Sequence, residues 1–566
     1  NDYRPTKEAF NQLQGLRGYY NFKDVDIDRY VLDGKLTQVF LSIREIDKSK
    51  LGSNAQTWVN TKLKYTHGYG GTVAPVNQLN PSGQPNMILK NVPVATDVKE
   101  LELTKPQVYF GELTDDYVIV NTNEMEFDYP KGDSNEMTTY DGQAGIKLGF
   151  ANKLLFALKE GDLKLLISGG LKSDSKILIN RNVRDRVKKI APFIMFDEDP
   201  YAVIANGRVH YIIDGYTTTK YYPYAEPFDE PSRSNYIRNS VKAVVDAYDG
   251  TVEFYIADGN DPLIQTYSDI FPGLLNPMSE MPDYVKAHIR YPQVMFDIQA
   301  KMYAIYHMSN PDVFYNREDQ WDIPMETYEG ETIQMESLYF TFKLPVEEKA
   351  EFVLSIPYTP KQKQNMTALM VARNDGENYG ELIIYRFPKD KSIIGPQQME
   401  AKISNNDVIS RDLSLWDTRG SQVLRGHILT IPIESSILYV EPLYIRADSE
   451  KAIPEVKRII VGYNDKIVMA ETLDKALEKI FGKPVDSNEM LAGSVIDEDG
   501  NPVDSLAGED AGSSETEGPS TPISSDPIAR ANQLFNEAQD ALRNGSLSEY
   551  EAKINELGEV LSQLKG

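Results

Sequence analysis

Acidic side chains are concentrated in the middle of the chain, and their carboxylates can act in catalysis. Two of them with separated pKa values act as general acid and general base in glycoside hydrolysis. No Gly-x-Ser-x-Gly motif offers a serine nucleophile instead. A carboxylate-based hydrolase acting on an envelope polymer is therefore one interpretation, although aspartates near turns also serve as caps. Its acid and base candidates are Asp197, Asp199, Asp214 and Asp246, and Asp249, Asp258 and Asp261 lie in the same stretch.

Oxygen-rich side chains in this stretch also suit calcium, which prefers carboxylate and amide ligands. A structural calcium ion is a second interpretation, with Asp197, Asp199, Asp258, Asn260 and Asp261 as the candidate ligands. A further alternating set, Asp24, Asp26 and Asp28, resembles the start of a calcium-binding loop. Arg29 stands where such a loop requires glycine, so we interpret these three residues as one solvated face of a strand.

A loop rich in tyrosine, residues 216–236, offers a third kind of site. Tyrosine provides a large contact area at low entropic cost, which suits a surface that binds a partner. The alternative is that the loop packs on its own domain. The candidate ligand-binding residues are Tyr216, Thr217, Tyr221, Tyr224, Asn235 and Arg238.

Predicted β-hairpins position these residues. The dipeptides Asn206-Gly207 and Asp249-Gly250 favour tight type I′ turns, because both positions of such a turn require positive φ angles. After each turn the apolar residues alternate, so each hairpin is expected to bury one face. Asp33-Gly34 predicts another hairpin near the start of the chain.

Helical spacing predicts several helices. The first has Thr6 as its N-cap, another spans about Ile146 to Lys159, and one begins near Thr472. The helical pattern over 281–308 is broken at Tyr291-Pro292, because proline cannot continue a helix interior. Residues from about 332 to 446 show strand patterns alone.

The whole pattern predicts an α+β fold that is rich in mostly antiparallel sheets with packed helices. We expect a core domain over 1–330 and a second β-rich unit over 331–483. Residues 484–526 contain eleven acidic residues and no lysine or arginine, which is typical of a disordered linker. Apolar stripes over 527–566 predict a C-terminal helical hairpin, which would pack on the main body or form a homo-oligomer.

Charge and composition exclude several functions. The chain of 566 residues has a net charge of −26, which repels nucleic-acid phosphates, so we expect no nucleic-acid partner. It has no cysteine, which excludes disulfides and thiolate catalysis. The sequence contains no membrane-spanning apolar run and begins at Asn1 without methionine. We therefore expect a processed or cloned fragment whose targeting signal lies upstream.

Short sequence segments between residue 1 and about residue 480 resemble segments of a known family. They include NDYRPTKEAFNQLQ, YTHGYG, VYFGEL, SDSKILINRNV, APFIMFDEDPY, NYIRNSVK, HIRYPQVMFDIQ and YGELIIYRFPK. Together they resemble uncharacterised protein family 0182. The resemblance implies a bacterial multi-pass membrane protein with a large extracytoplasmic domain and transmembrane helices upstream of this chain. It implies no activity, cofactor or catalytic residue.

From the resemblance and the composition we expect the extracytoplasmic domain of a membrane protein at the cell membrane. Its expected role is non-enzymatic binding or scaffolding, with an envelope component or another membrane protein as partner. The alternatives are the hydrolase described above and the soluble part of a transporter.

Overall fold

The computed structural model confirms an α+β fold in which strands predominate. No helix in the described part of the chain is long and apolar enough to cross a membrane. Single turns of 3-10 or π helix occupy Lys48–Lys50, Ser53–Ala55, Asn60–Lys64, Lys99–Leu101, Met278–Glu280 and Gly376–Asn378. The structure describes residues 1–345, 349–418, 420–433, 436–449 and 452–482, together with Lys553 and Glu556.

A six-stranded sheet follows the first helix, which begins at Tyr3 with Asp2 rather than Thr6 as its N-cap. The predicted hairpin at Asp33-Gly34 is confirmed, with φ angles of 50° and 74° at the two turn residues. The strand order is β1-β3-β5-β6-β7, and β2 pairs with β3. The elements are α1 (Tyr3–Gln14), β1 (Tyr20–Phe22), β2 (Asp26–Leu32), β3 (Lys35–Ile46), β4 (Gly68–Tyr69), β5 (Gly71–Pro75), β6 (Leu89–Lys90) and β7 (Ala95–Thr96).

Short strands and three helices make up the next part of the chain. Strand β4 pairs with β8, β10 pairs with β11, and β12, β13 and β9 form a small sheet. A helix predicted from Ile146 begins at Phe150 instead, because Ile146 and Lys147 form an edge strand. The elements are β8 (Gln107–Val108), β9 (Val118–Val120), β10 (Glu126–Lys131), β11 (Ser134–Thr138), β12 (Ile146–Lys147), α2 (Phe150–Glu160), α3 (Lys164–Ile167), β13 (Lys176–Leu178) and α4 (Val183–Ile190).

The central sheet has six strands in the order β14-β16-β17-β18-β19, with β15 paired to β16. The hairpin at Asn206-Gly207 is confirmed, with φ angles of 50° and 72°. The prediction of a type I′ turn at Asp249-Gly250 is wrong, because Gly250 has a positive φ angle and Asp249 does not. The strands are β14 (Met195–Phe196), β15 (Tyr201–Ala205), β16 (Arg208–Thr219), β17 (Tyr236–Asp246), β18 (Val252–Ile256) and β19 (Leu275–Pro277).

One helix joins β18 to β19, and three helices follow the sheet before the C-terminal sheets. The predicted break at Tyr291-Pro292 is confirmed, since Pro292 precedes the first residue of the longest of these helices. The helices are α5 (Pro262–Ile270), α6 (Asp283–Lys286), α7 (Gln293–Tyr306) and α8 (Pro311–Asn316).

Two five-stranded sheets and a two-stranded ribbon form the C-terminal part. The first sheet has the order β20-β24-β25-β26 with β23 on β24, and β21 pairs with β22. The elements are β20 (Trp321–Asp322), β21 (Met325–Tyr328), β22 (Glu331–Gln334), β23 (Leu338–Lys343), β24 (Ala350–Pro360), β25 (Ala368–Arg373) and β26 (Leu382–Arg386).

The second sheet has the order β27-β29-β30-β31 with β28 on β29. Two helices precede it in a region for which the sequence predicted strands alone. Helix α11 begins after Thr472, as predicted. The elements are α9 (Pro396–Ser404), α10 (Asp407–Trp416), β27 (Ser421–Arg425), β28 (Leu429–Ile433), β29 (Ser436–Ala447), β30 (Glu455–Tyr463), β31 (Lys466–Ala470) and α11 (Leu473–Phe481).

The described residues from 1 to 482 belong to one compact unit that contains two large apolar cores. One core joins the N-terminal and central sheets, and the other joins the C-terminal sheets to α7. The boundary predicted between 330 and 331 stays a prediction. The second unit covers 504–566, where Lys553 and Glu556 are helical with Nζ 3.6 Å from Oε2. The predicted linker and the rest of the helical hairpin lie outside the described residues.

Candidate functional site

The aspartates at one end of the central sheet stabilise a turn. Asp246 accepts hydrogen bonds from the backbone N–H groups of Tyr248 and Asp249 at 2.8 and 2.7 Å. Nη1 of Arg208 lies 2.9 Å from Asp246 and 3.0 Å from Asp249. These bonds replace the predicted type I′ turn with a longer connection, because the Asp246 carboxylate holds the chain after β17.

Asp214 lies in the middle of the same sheet and is buried with a cation. Nζ of Lys242 is 2.5 Å from its Oδ1, and Nδ2 of Asn239 donates to the same oxygen at 3.0 Å. Lys242 also donates to the backbone oxygen of Arg290 at 3.1 Å. Burial opposes the charge of Lys242, but the Asp214 carboxylate outweighs it and raises the Lys242 pKa. This pair is a buried ion pair within the sheet.

Asp258 and Asp261 lie where β18 leads into α5. Asp261 is buried and caps α5 by accepting from the Leu263 N–H at 3.1 Å. It also accepts hydroxyl hydrogen bonds from Thr217, Ser240 and Tyr236. Asp258 pairs with Arg238, with Nη1 2.6 Å from Oδ2. Both carboxylates therefore have partners within the chain.

Asp197 and Asp199 lie at the start of the central sheet. The hydroxyl of Tyr216 donates to Asp197 at 2.7 Å, and burial raises the pKa of Asp197. Asp199 is exposed, and its charge contributes to a raised pKa of Asp24. Among the described residues no group of three or more His, Asp or Glu side chains is arranged to hold a metal ion. The calcium prediction thus gains no support from this arrangement.

The six candidate ligand-binding residues lie in four different environments. Tyr216 and Thr217 are buried beneath the loop, and Arg238 is held at its base by Asp258. Asn235 closes the loop, accepting from the Tyr222 N–H at 3.1 Å and donating to the Tyr222 oxygen at 2.8 Å. Tyr221 and Tyr224 project into solvent, Tyr221 with 81% of its surface exposed. Of the six, the two tyrosines at the loop tip are the most exposed to a partner.

A cavity of about 600 Å³ lies elsewhere, between the N-terminal sheet and the C-terminal sheets. None of the seven central aspartates is among the described residues that line it. Asp2, Tyr3 and His427 form what we call its polar end, and other polar residues, among them Lys35, Gln38 and Glu471, also line it. A mostly apolar pocket with a few convergent polar groups is a common form of ligand site. The apolar wall consists of Ile27, Leu36, Phe40, Val76, Leu79, Leu338, Phe340, Leu429, Ile431, Val440, Ile459 and Leu473.

His427 is the central residue of the polar end. Its Nδ1 lies 2.8 Å from Oε1 of Glu326, and its ring stacks on Tyr3 with 5.7 Å between ring centroids. Burial opposes protonation of His427, but the carboxylates of Asp2 and Glu326 outweigh burial and raise its pKa. Its Nε2 has no hydrogen-bond partner in the described part of the chain and lies 3.9 Å from carboxylate oxygens of Asp2 and Glu336. Nε2 is therefore a buried polar atom available to a ligand.

Asp2 fixes the position of this group. Both of its oxygens accept hydrogen bonds from the Arg4 guanidinium, the shortest at 2.6 Å, and one accepts from the His427 backbone N–H at 2.7 Å. Arg4 in turn lies over the Tyr328 ring, 3.7 Å from its centroid. The polar end is thus held by segments from three distant parts of the sequence.

Asp24, Asp26 and Asp28 do not form the solvated face that the sequence suggested. Asp26 accepts from the Ala202 N–H at 2.9 Å, and Asp28 lies 2.7 Å from Nδ1 of His288. Both are buried, because β15 and the segment around His288 cover the strand. Local alternation predicts one polar face but does not indicate what packs against it.

The cavity residues are those that the sequence analysis missed. Asp2 and His427 are 425 positions apart in sequence, and no local motif joins them. The family resemblance carries no site residues either. Asp2 accepts from the His427 N–H, and its own N–H donates to the Tyr444 hydroxyl on β29, so these long-range bonds bring the residues together.

Comparison with known proteins agrees with the resemblance. The model of the uncharacterised protein family UPF0182 matches residues 1–416. UPF0182 proteins of Alkaliphilus metalliredigens, Pelotomaculum thermopropionicum and Clostridium botulinum are 52%, 46% and 44% identical, each over 100% of this chain. The chain spans 59 to 60% of the length of these relatives. No solved structure matches the chain. The chain belongs to the uncharacterised protein family UPF0182.

Proposed function

We propose that this chain is the extracytoplasmic binding domain of an integral membrane protein and that it holds an amphipathic envelope molecule in the cavity next to His427. The expected ligand has an apolar body and a head group that accepts a hydrogen bond. The proposal joins the family resemblance to the geometry of the cavity.

One observation carries the proposal: the unpartnered Nε2 of His427 at the polar end of an apolar cavity. A buried polar atom without a partner costs free energy unless something binds it. The raised pKa keeps this imidazole protonated to higher pH, so Nε2–H is a donor. An acceptor oxygen on the ligand would satisfy it, while the apolar body would be removed from water by the wall.

Binding is favoured over hydrolysis by what surrounds the proposed catalytic carboxylates. Asp214 faces Lys242, Asp246 faces Arg208, and Asp197 accepts from Tyr216. A pair of glycosidase carboxylates must face one substrate across an open cleft. These three groups face different partners inside the fold, so they give the hydrolase no support.

The tip of the tyrosine loop provides a second contact surface in this proposal. Tyr222 stacks on Tyr236 with 5.5 Å between ring centroids, which anchors the loop. Tyr221 and Tyr224 remain exposed beyond this anchor. Such exposed aromatic side chains suit contact with a partner protein at the cell envelope.

A fluorescent probe tests the cavity. The neutral dye N-phenyl-1-naphthylamine is titrated into the wild-type chain, into Leu429→Trp, which fills the cavity, and into Leu382→Trp as a control. Both leucines are half-buried and lie on the C-terminal sheets, but only Leu429 lines the cavity. The proposal expects saturable binding that Leu429→Trp abolishes and Leu382→Trp retains. Equal binding by all three proteins would contradict it.

Cysteine labelling tests the location. Because this chain has no cysteine, Tyr224→Cys gives the domain one exposed thiol, and any cysteines outside this chain are replaced by serine in the full-length protein. The proposal expects a membrane-impermeant maleimide to label this thiol on intact cells. Labelling only after lysis would place the domain on the other side of the membrane.

A further inference from the structure

Helices α2 and α3 expose a surface that is apolar without being part of a core. Five of its side chains have most of their surface in solvent: Phe150 at 84%, Leu155 at 62%, Leu158 at 72%, Leu163 at 69% and Ile167 at 79%. Leu154 extends the same patch. We call these six residues the 150–167 patch. Contiguous exposed apolar side chains of this size mark interaction surfaces.

This patch is not a core face that failed to pack, because α2 already has a buried face. Phe156 and Ala157 are buried in a small core with Leu165, Tyr117 and Ile177. Helical spacing puts Leu155 and Leu158 on the side of α2 opposite to Phe156 and Ala157. The helix is therefore apolar on both sides, and its outer side has no use within the described part of the chain.

The segment that carries the patch is rich in lysine. Residues 146–172 contain five of them, Lys147, Lys153, Lys159, Lys164 and Lys172, and only two acidic residues, Glu160 and Asp162. Both acids are engaged: Glu160 pairs with Lys159 at 3.1 Å, and Asp162 accepts from Nε1 of Trp58 at 2.6 Å. In a chain with a net charge of −26, this segment carries a local excess of positive charge.

We propose that the 150–167 patch docks on a lipid bilayer that contains anionic head groups. Interfacial helices insert apolar side chains at the boundary between head groups and acyl chains, with lysines beside the phosphates. The acidic remainder of the chain is repelled by such a surface, but at about 0.1 M salt that repulsion is screened beyond roughly 10 Å. This segment brings exposed apolar side chains together with an excess of lysines over acidic residues, so it fits the bilayer by charge and by polarity.

Vesicle flotation of the 566-residue chain tests this inference. The vesicles contain phosphatidylcholine alone or with 30% phosphatidylglycerol, in about 0.1 M salt. The triple variant Leu155→Ser, Leu158→Ser and Ile167→Ser removes apolar groups from solvent-exposed positions, so it should fold normally. We expect at least tenfold weaker binding, since each buried leucine contributes strongly to partitioning. The control Val408→Ser with Leu415→Ser changes exposed apolar residues of α10 and should bind like wild type.

A second variant tests the charge. Lys153→Gln, Lys159→Gln and Lys164→Gln should remove the preference for phosphatidylglycerol while leaving the apolar patch intact. Absence of wild-type binding to both kinds of vesicle would overturn the inference. So would self-association of the wild type that the serine variant abolishes without any vesicle binding, since the patch would then bind a second copy of the chain. The inference does not depend on the cavity. A negative result in the dye titration therefore does not predict a negative result in vesicle flotation, or the reverse.

Discussion

Nζ of Lys242 lies 2.5 Å from Oδ1 of Asp214, and both side chains are buried in the central sheet. The ammonium also donates to the backbone oxygen of Arg290 at 3.1 Å, which ties the sheet to the segment that leads into α7. A buried ion pair of this kind fixes one arrangement of its neighbours, because either charge alone would be costly in the interior.

Removal of one partner should therefore destabilise the protein. Lys242→Met leaves Asp214 buried without its cation, and we expect a loss of about 3–5 kcal/mol in the free energy of unfolding. The double variant Lys242→Met with Asp214→Leu removes both charges and should recover most of that loss. Urea unfolding at neutral pH measures both. A loss below about 1 kcal/mol in the single variant would contradict the prediction.

Glu112 should make stability depend on pH. Burial, followed by the charge of Asp24, raises the pKa of Glu112 to about 9. Between its ordinary pKa of 4.5 and about 9, the folded protein then binds more protons than the unfolded chain. The free energy of unfolding should therefore fall as pH rises through this window. In Glu112→Gln it should fall less than in the wild type.

The size of the difference is the measurable quantity. From pH 5 to pH 9, we expect the free energy of unfolding to fall by at least about 1 kcal/mol less in Glu112→Gln than in the wild type. A difference of this size corresponds to a pKa shift of about one unit. Glu230→Gln, at an exposed position, is the control and should follow the wild type. Parallel pH profiles for wild type and Glu112→Gln would show that Glu112 ionises normally.

Metal removal should not change the melting temperature. Asp258 is paired with Arg238, and Asp261 accepts hydroxyl and backbone hydrogen bonds, so neither carboxylate needs a cation. Thermal unfolding with excess calcium and with a chelator checks this. A melting temperature several degrees higher in calcium would instead support the calcium site predicted from the sequence.

The tyrosine loop should depend on Asn235 for its conformation. The Asn235 side chain bonds the backbone of Tyr222 and Ala225. Asn235→Ala removes these bonds, so limited proteolysis should cleave within 220–235 several times faster than in wild type. Tyr221→Ser is the control, since this side chain is exposed and its loss should leave the cleavage rate unchanged.

Local patterns in the sequence predicted what local interactions decide. The turns at Asp33-Gly34 and Asn206-Gly207 were predictable because positive φ angles select those residues. At Asp249-Gly250 the same dipeptide failed, because the side chain of Asp246 holds the backbone in a longer connection. The outcome there depended on a third residue outside the turn dipeptide.

The candidate site was less predictable, because its residues meet only through tertiary packing. Residue type identified the aspartates, but their partners, such as Lys242 and Arg208, come from neighbouring strands and neutralise them. His427 is unremarkable in its own segment and becomes significant only beside Asp2. Likewise, helical spacing predicted α2 but did not indicate that the outer face of this helix is exposed to solvent.

Native mass spectrometry of the chain purified without delipidating detergent tests the central claim most directly. The account predicts that wild type and Leu382→Trp carry one additional molecule of a few hundred daltons, the size that a cavity of about 600 Å³ accommodates. Leu429→Trp should show the bare protein mass. The bare mass for all three proteins, or a bound molecule retained by Leu429→Trp, would contradict the claim that this cavity is the ligand site.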